Sequence, residues 1–286
     1  MNRIVYVNGE YTPEENAKIS IFDRGFIFGD GVYEVVPVVT GKLVDCDYFL
    51  ERLDRSLSEM SITWPCSQRE YLDIMQELIS RNGLKEGSVY SQVTRGIADR
   101  NFVFPIDTAP SLIAFTSEMN LLNNPLAESG IAVTTSEDIR WKRRDIKSIN
   151  LLAQCLAKQD AHNKGAHEGW MVEDGFVTEG VTSSAYIIIG KKVITRPTSN
   201  LILPGIRRRT LIEIAEREGI EVEQRLFTVE EAQKADEAFI SSATTISLPV
   251  VSIDGEKIAD GKPGEITKKL RRLYIERLLE EAGDAE

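Results

Sequence analysis

Histidine is nearly missing from this chain: His162 and His167 are the only two in 286 residues. That scarcity starves a zinc site or a Ser-His-Asp triad, both of which draw on imidazoles. Cysteine is just as sparse. Cys46, Cys66 and Cys155 are scattered, odd in number and in no metal-ligand spacing. No metal is expected from them, and they suit a reduced, cytoplasmic setting. Basic charge is in deficit. A net charge of −11 argues against nucleic acid or an anionic membrane as a partner, because surplus Lys and Arg bind both. An acidic protein that binds an anion must place cations locally, so arginines in a prospective site carry extra meaning. No apolar run approaches the roughly 18 residues that cross a bilayer. The longest, Ala185 to Gly190, has the length of a buried strand. The N-terminus reads directly as a strand and lacks the segments of a signal peptide.

What is present reads as two α+β domains, a division that the length accommodates. Strands are expected at Ile4 to Val7 and Gly31 to Val39, with turns at Asn8-Gly9 and Thr40-Gly41. A helix is predicted over about 47–60, with Phe49, Leu50, Leu53, Leu57 and Met60 at helical spacing. The next opens on the capping box Ser67-x-x-Glu70 and ends at Asn82-Gly83. Strands follow at Ser88 to Thr94 and Ser111 to Thr116. The Asn- and Pro-containing stretch 119–126 reads as a linker. It separates a small N-terminal domain (1–118) from a larger C-terminal one (127–286). The second half predicts a strand at Ile131 to Thr135, a helix over about 148–163 and a hairpin turning at Asp174-Gly175. A strand at Tyr186 to Ile189 and a helix over about 207–218 come next. A short helix capped by Thr228-x-x-Glu231, a strand at Glu237 to Ser241 and a C-terminal helix complete it. Strict βαβ alternation is missing, which favours α+β over a doubly wound sheet.

Several residues suit the handling of an anionic, electron-withdrawing cofactor, though each has a bland reading. Lys147 precedes an expected helix with Ser148 as N-cap; a cation is disfavoured there and a neutral, nucleophilic amine is favoured. It could equally be a surface lysine. Glu179 ends a strand and could face a ring nitrogen, or solvent. Gly205 precedes a helix whose N–H groups could take a phosphate, and the turn at Ser242, Ala243 and Thr244 offers more donors. Both could be ordinary turns. Arg52 lies beside the buried stripe of its helix and reads as surface. Arg95 and Arg100 lie in an irregular segment after a strand, where an arginine could grip a carboxylate or simply be solvated.

Taken together, these segments resemble one family. Asp23-Arg24-Gly25-Phe26-Ile27-Phe28-Gly29-Asp30-Gly31-Val32-Tyr33-Glu34 resembles the N-terminal signature of fold-type IV pyridoxal-phosphate (PLP) enzymes. Arg52, Asp145-Ile146-Lys147-Ser148, Thr178-Glu179-Gly180, Leu203-Pro204-Gly205-Ile206 and the Ser242 turn follow in that family's order and spacing. Within it, Gln92-Val93-Thr94-Arg95-Gly96 and Asp138-Ile139-Arg140-Trp141 are most similar to D-amino acid transaminases. The resemblance implies a Schiff base between pyridoxal 5′-phosphate and Lys147, with Lys147 also moving the proton at the substrate Cα. Glu179 would bind the pyridine nitrogen and Leu203 would pack on the ring. Arg52, Ile206, Arg207, Ser242, Ala243 and Thr244 would hold the phosphate. Tyr33, Arg100 and Phe102 would line the substrate pocket, Arg100 taking the α-carboxylate from a neighbouring subunit of a homodimer. The substrates implied are D-amino acids such as D-alanine and 2-oxo acids such as 2-oxoglutarate. Departures exist: Phe102 stands where a histidine is usual, and Arg207 and Ala243 stand where threonines are usual. Branched-chain L-amino acid transamination, (R)-amine transamination and, further off, aminodeoxychorismate lyase activity are the alternatives.

Overall fold

The computed structural model describes residues 3–283. Its strands form two sheets, one in each of two compact units. The first unit takes the chain through Asn120, with Ile146–Asn150 and the end of the C-terminal helix from Leu278. Its elements are β1 (Ile4–Val7), β2 (Glu10–Pro13), α1 (Arg24–Phe28), β3 (Gly31–Val39), β4 (Lys42–Leu43), α2 (Cys46–Glu59), α3 (Gln68–Asn82), β5 (Gly87–Thr94) and β6 (Ser111–Glu118). The sheet runs β2-β1-β6-β5-β3-β4, and every pairing is antiparallel.

Strand alternation assigns the faces. Val32, Glu34 and Val36 of β3 are fully buried, whereas Tyr33 between them points the other way and is half-buried. Helix α2 packs on β3 through Phe49, Leu53 and Leu57, which recur at helical spacing. The expected cap of α3 forms: Ser67 Oγ accepts from Glu70 N at 3.2 Å, and Gly83 ends the helix at φ 60°.

Glu34 is a carboxylate in the core, and the buried Arg52 meets it squarely. Nε donates to Oε1 at 2.8 Å and Nη2 to Oε2 at 2.7 Å. Arg52, read from sequence as a surface residue, is therefore corrected to a buried one, because its counter-charge lies under the helix on β3. Removing one partner of such a pair typically costs about 3–5 kcal/mol. Glu34→Gln, which keeps the shape and deletes the charge, is expected to lower the urea midpoint of the full chain accordingly. An unchanged midpoint would mean that the pair contributes no net stability.

The second unit holds Leu121–Asp145 and Leu151–Arg277. Its elements are α4 (Leu126–Ser129), β7 (Ile131–Glu137), α5 (Leu152–Asn163), β8 (Glu168–Glu173), β9 (Phe176–Gly180), β10 (Ser184–Ile189), β11 (Lys192–Thr195), α6 (Ile206–Arg217), β12 (Val222–Gln224), α7 (Val229–Gln233), β13 (Glu237–Ser242), β14 (Ile246–Ile253), β15 (Glu256–Lys257) and α8 (Glu265–Ala282). Helix α8 runs on into the first unit. The sheet runs β12-β11-β10-β13-β14-β7-β8-β9, with β15 beside β14. Pairs β7/β8, β7/β14 and β11/β12 are parallel and the rest antiparallel. Trp170, Ile187, Phe227, Ile240 and Val250 form its core.

The division between the units falls at Asn120/Leu121, within the stretch 119–126 read as a linker; Leu121 is fully buried there, and Arg271 Nη2 donates to its carbonyl at 2.8 Å. Two sequence expectations meet a different outcome. Strand β14 is absent from the sequence expectation. Pro249, which reads against a central strand, stands in it opposite Phe239. Helix α5 begins at Leu152, not Ser148, with Leu151 as N-cap and no capping side chain. Residues 146–150 instead run extended beside β3. Tyr33 N donates to Lys147 O at 3.0 Å, Ile149 N to Gly31 O at 3.1 Å, and Val32 and Ser148 form a bridge. Backbone pairing to a sheet has displaced the first helical turn, and it places the lysine segment in the first unit rather than the C-terminal half.

Candidate functional site

In the first unit, Lys147 is half-buried and has no carboxylate partner among the described residues. Its Nζ sits 4.1 Å from the centroid of the Tyr33 ring. That ring stacks on Tyr90 at 5.5 Å, and Tyr90 stacks on Phe115 at 4.8 Å, an aromatic row across β3, β5 and β6. Lys147 and Tyr33, assigned separately from sequence, are brought together. Contrary to the sequence expectation, Lys147 owes nothing to a helix dipole: the helix starts at Leu152, and a dipole's influence fades within a turn.

The segment after β5 separates its two arginines. Arg100 is exposed, with its guanidinium 5.4 Å from the Phe102 ring and 5.6 Å from the Phe28 ring. Phe102 is itself 77 % exposed. Arg95 is not a solvated loop residue: it is buried and forks onto Asp30, with Nε to Oδ2 at 2.8 Å and Nη2 to Oδ1 at 3.0 Å.

In the second unit, Glu179 is buried near the end of β9, so the solvent-facing reading is corrected. Its Oε1 accepts from Arg140 Nη1 at 2.5 Å, and both oxygens accept from Leu203 N at 3.2 Å. Arg140 is held in turn by Asp138, through Nε at 2.9 Å and Nη2 at 2.7 Å. Thr178 Oγ1 donates to Asp138 Oδ2 at 2.6 Å. Burial pushes the Glu179 carboxyl up, while the Arg140 guanidinium and the Leu203 N–H pull against it. Burial also opposes the charge on Arg140, but Asp138 and Glu179 hold it above the ordinary arginine range.

A short way beyond Leu203, Gly205 caps α6, again with no side-chain cap on the first N–H groups. An uncapped helix start is a ready donor set for an anion. Arg207, buried on the first turn, donates through Nη2 to Ala243 O at 3.3 Å and lies over the Tyr274 ring. This contact joins the helix start to the turn at Ser242 to Thr245. Ser242 Oγ lies 3.3 Å from Thr244 Oγ1 and 3.0 Å from Thr245 Oγ1. Arg271 braces the turn by donating to Thr245 O at 2.8 Å and Ser247 O at 3.1 Å. Glu179, Leu203, Ile206, Arg207, Ser242, Ala243 and Thr244 thus lie along one connected path. It has a carboxylate at one end and a cationic, donor-rich turn at the other.

This arrangement fits a phosphorylated pyridine. The carboxylate suits a protonated ring nitrogen, and the uncapped helix start beside the hydroxyl-rich turn suits a phosphate dianion. The buried Ser183 Oγ, in the loop after Glu179, has no hydrogen-bond partner among the described residues, as expected where a ligand completes a site. Sequence reading gives no supporting role to Glu34, Asp138 and Thr178, which stand in the quoted motifs, and passes over Arg271. The available signal was the pairing rule: a carboxylate destined for burial needs a cation, and Asp138-x-Arg140 carries one. Among the described residues no cluster of His, Cys, Asp and Glu could hold a metal, and no helix is long and apolar enough to cross a membrane.

Comparison with known proteins agrees with that chemistry. The profile of the family described as amino-transferase class IV matches residues 31–253. A D-alanine aminotransferase of Staphylococcus haemolyticus is 41 % identical over 276 residues, covering 95 % of this chain and 98 % of the relative. The branched-chain amino acid aminotransferase of Escherichia coli superposes with a TM-score of 0.91 at 22 % identity, covering 100 % of this chain and 97 % of the other. The branched-chain aminotransferase of the archaeon Thermoproteus uzoniensis, solved with norvaline, gives 0.87 at 24 %, covering 99 % and 96 %.

Proposed function

The chain belongs to the amino-transferase class IV family, and from that premise we propose that it is a PLP-dependent aminotransferase acting between D-amino acids and 2-oxo acids. The observation that carries the D-amino acid reading is a contrast in identity. The D-alanine aminotransferase matches at 41 % across nearly both chains, whereas the branched-chain enzymes share the fold at 22–24 %. The fold-type IV scaffold is common to both substrate classes; the sequence sides with one.

Bound PLP supplies an electron sink that makes the substrate α-hydrogen acidic. The rest is work for this chain's residues. Lys147 is the covalent anchor and takes the proton at the substrate Cα, with Tyr33 lining its surroundings. Glu179, oriented by Arg140 and Leu203 N, holds the proton at the pyridine nitrogen. Leu203 packs on the ring, and Ile206, Arg207, Ser242, Ala243 and Thr244 hold the phosphate. Arg52 is a weaker candidate for the phosphate, since its guanidinium already forks onto Glu34. Arg100 pairs with the substrate carboxylate, and Phe102 makes that contact more apolar. A homodimer supports this role, because the loop of Arg100 is unusually apolar for a free surface. Phe102, Val103 and Ile106 are each more than 70 % exposed, and such concentrations of large apolar side chains mark interaction surfaces. The free thiols of Cys46, Cys66 and Cys155 suit a reducing cytoplasm.

A coupled assay decides the substrate class. With 2-oxoglutarate as acceptor, D-alanine is expected to be consumed far faster than L-leucine or (R)-1-phenylethylamine. Preference for L-leucine would transfer the chain to the branched-chain enzymes. Preference for the amine would make it an (R)-amine transaminase. Release of pyruvate without an amino acceptor would point to a lyase.

A further inference from the structure

Arg24 belongs to the signature segment, yet nothing in the proposed chemistry uses it. It is 2 % exposed on a helix of five residues. Its Nε donates to Asp30 Oδ2 at 2.7 Å, the carboxylate that Arg95 also grips. Two guanidiniums therefore share one buried carboxylate, and the surplus charge must be spread over other acceptors. Arg95 places its share on Ser61 O at 2.9 Å, Met60 O at 2.7 Å and the Phe104 ring at 3.6 Å. Arg24 places its share on Asn101 O at 2.6 Å and the Phe28 ring at 4.6 Å. Asn101 is the residue between Arg100 and Phe102. Upstream, the loop is pinned where Arg24 N donates to Gly96 O and Ala98 N to Phe22 O. From Asp99 onward the side chains reach solvent, and the Arg24 contact to Asn101 is a short charge-assisted bond to that exposed backbone.

We propose that Arg24 is a positioning residue for substrate, fixing through the Asn101 carbonyl where Arg100 presents its guanidinium. This rests on the reading of Arg100 as the partner of the substrate carboxylate. A bond from a buried, doubly anchored guanidinium removes backbone freedom that a lone exposed arginine would otherwise lose on binding. The consequence is specific. Loosening Asn101 weakens capture of carboxylates and leaves the chemistry at Cα alone.

The test uses the holoenzyme. Arg24→Lys keeps a charge beside Asp30 but lacks the fork that reaches Asn101 O at the same time. Amide exchange over 99–104 is expected to accelerate while β3 and β5 stay protected. KM for D-alanine and for 2-oxoglutarate is expected to rise about tenfold, the scale of one charge-assisted hydrogen bond, with kcat within about twofold. Asn101→Gly, at an exposed position, keeps the carbonyl that Arg24 grips but frees the backbone around it and removes the side-chain acceptor of Val103 N. It is expected to shift KM in the same direction without touching the core, and it decides whether the position of this backbone governs capture should Arg24→Lys not fold. Arg100→Ala, measured alongside, tests the underlying reading. If it leaves KM for D-alanine unchanged, that reading fails and the inference with it. If Arg100→Ala raises KM but the loosened variants do not, or if kcat falls while KM holds, Arg24 is a structural residue and the inference alone is overturned.

Discussion

Lys147→Ala is expected to yield a folded, colourless protein that transfers no amino groups. Folding should survive because the segment is held by its backbone: Tyr33 N still finds the carbonyl of residue 147 and Ile149 N still finds Gly31 O. The side chain does no ion-pair work in the core, so its loss leaves no buried charge without its partner. Activity has no such reserve. Loss of a positioned base alone is worth roughly two to four decades, and in the proposed role the same amine would also anchor the cofactor. In the wild-type protein, borohydride reduction followed by mass spectrometry should find the pyridoxyl group on Lys147. Neighbouring lysines are poorer nucleophiles on structural grounds. Lys142 is paired with Glu173, and Lys158 donates to Glu168 Oε2 at 2.5 Å. An adduct on either, or transamination persisting in Lys147→Ala, would remove Lys147 from the mechanism.

The periodic parts of the fold could be read from sequence because burial and spacing say the same thing. Phe49, Leu53 and Leu57 name the inner face of α2, and Ser67 and Thr228 cap their helices as the pattern requires. Misreadings cluster where a distant partner decides. Ser148 looks like an N-cap until β3 offers its edge, and hydrogen bonds to Gly31 and Tyr33 then outweigh an earlier first turn of helix. Pro249 argues against a strand, but β14 is paired on both sides by β13 and β7. Charged residues show the same limit. Arg52 reads as a surface residue, and a solvated reading stays open for Arg95 and Glu179, because a local window cannot show Glu34, Asp30 or Arg140 arriving from elsewhere. The resemblance singled out Lys147 and Glu179 as candidates. Only the structure reveals that Arg95 and Arg140, otherwise reasonable carboxylate binders, are already committed to carboxylates of the chain itself. That leaves the exposed Arg100 as the better candidate for an incoming substrate.

Glu179→Gln is expected to slow removal of the Cα proton by roughly ten- to a hundredfold while PLP remains bound. The magnitude follows from exchanging a charge-assisted hydrogen bond for a neutral one, since bonds to charged groups are worth about 1.5–3 kcal/mol and about 1.4 kcal/mol is tenfold. The surroundings sharpen the effect. Glu179 is fenced by donors, with Arg140 Nη1 on one oxygen and Leu203 N on both. A glutamine must turn its own NH2 toward one of them or toward the ring nitrogen, so it cannot satisfy all three as an acceptor. Arg140 keeps Asp138, which limits the damage to the pair itself and spares the fold. Single-turnover rates with D-alanine should fall, and the isotope effect with α-deuterated D-alanine should grow as proton removal becomes more fully rate-limiting. Glu179→Asp restores the charge at a shorter reach and should recover part of the rate. A functional carboxylate predicts that ordering, wild type above aspartate above glutamine. Equal single-turnover rates in the wild-type and glutamine proteins would show that Glu179 serves Arg140 and Leu203 alone, with the ring nitrogen held by some other group.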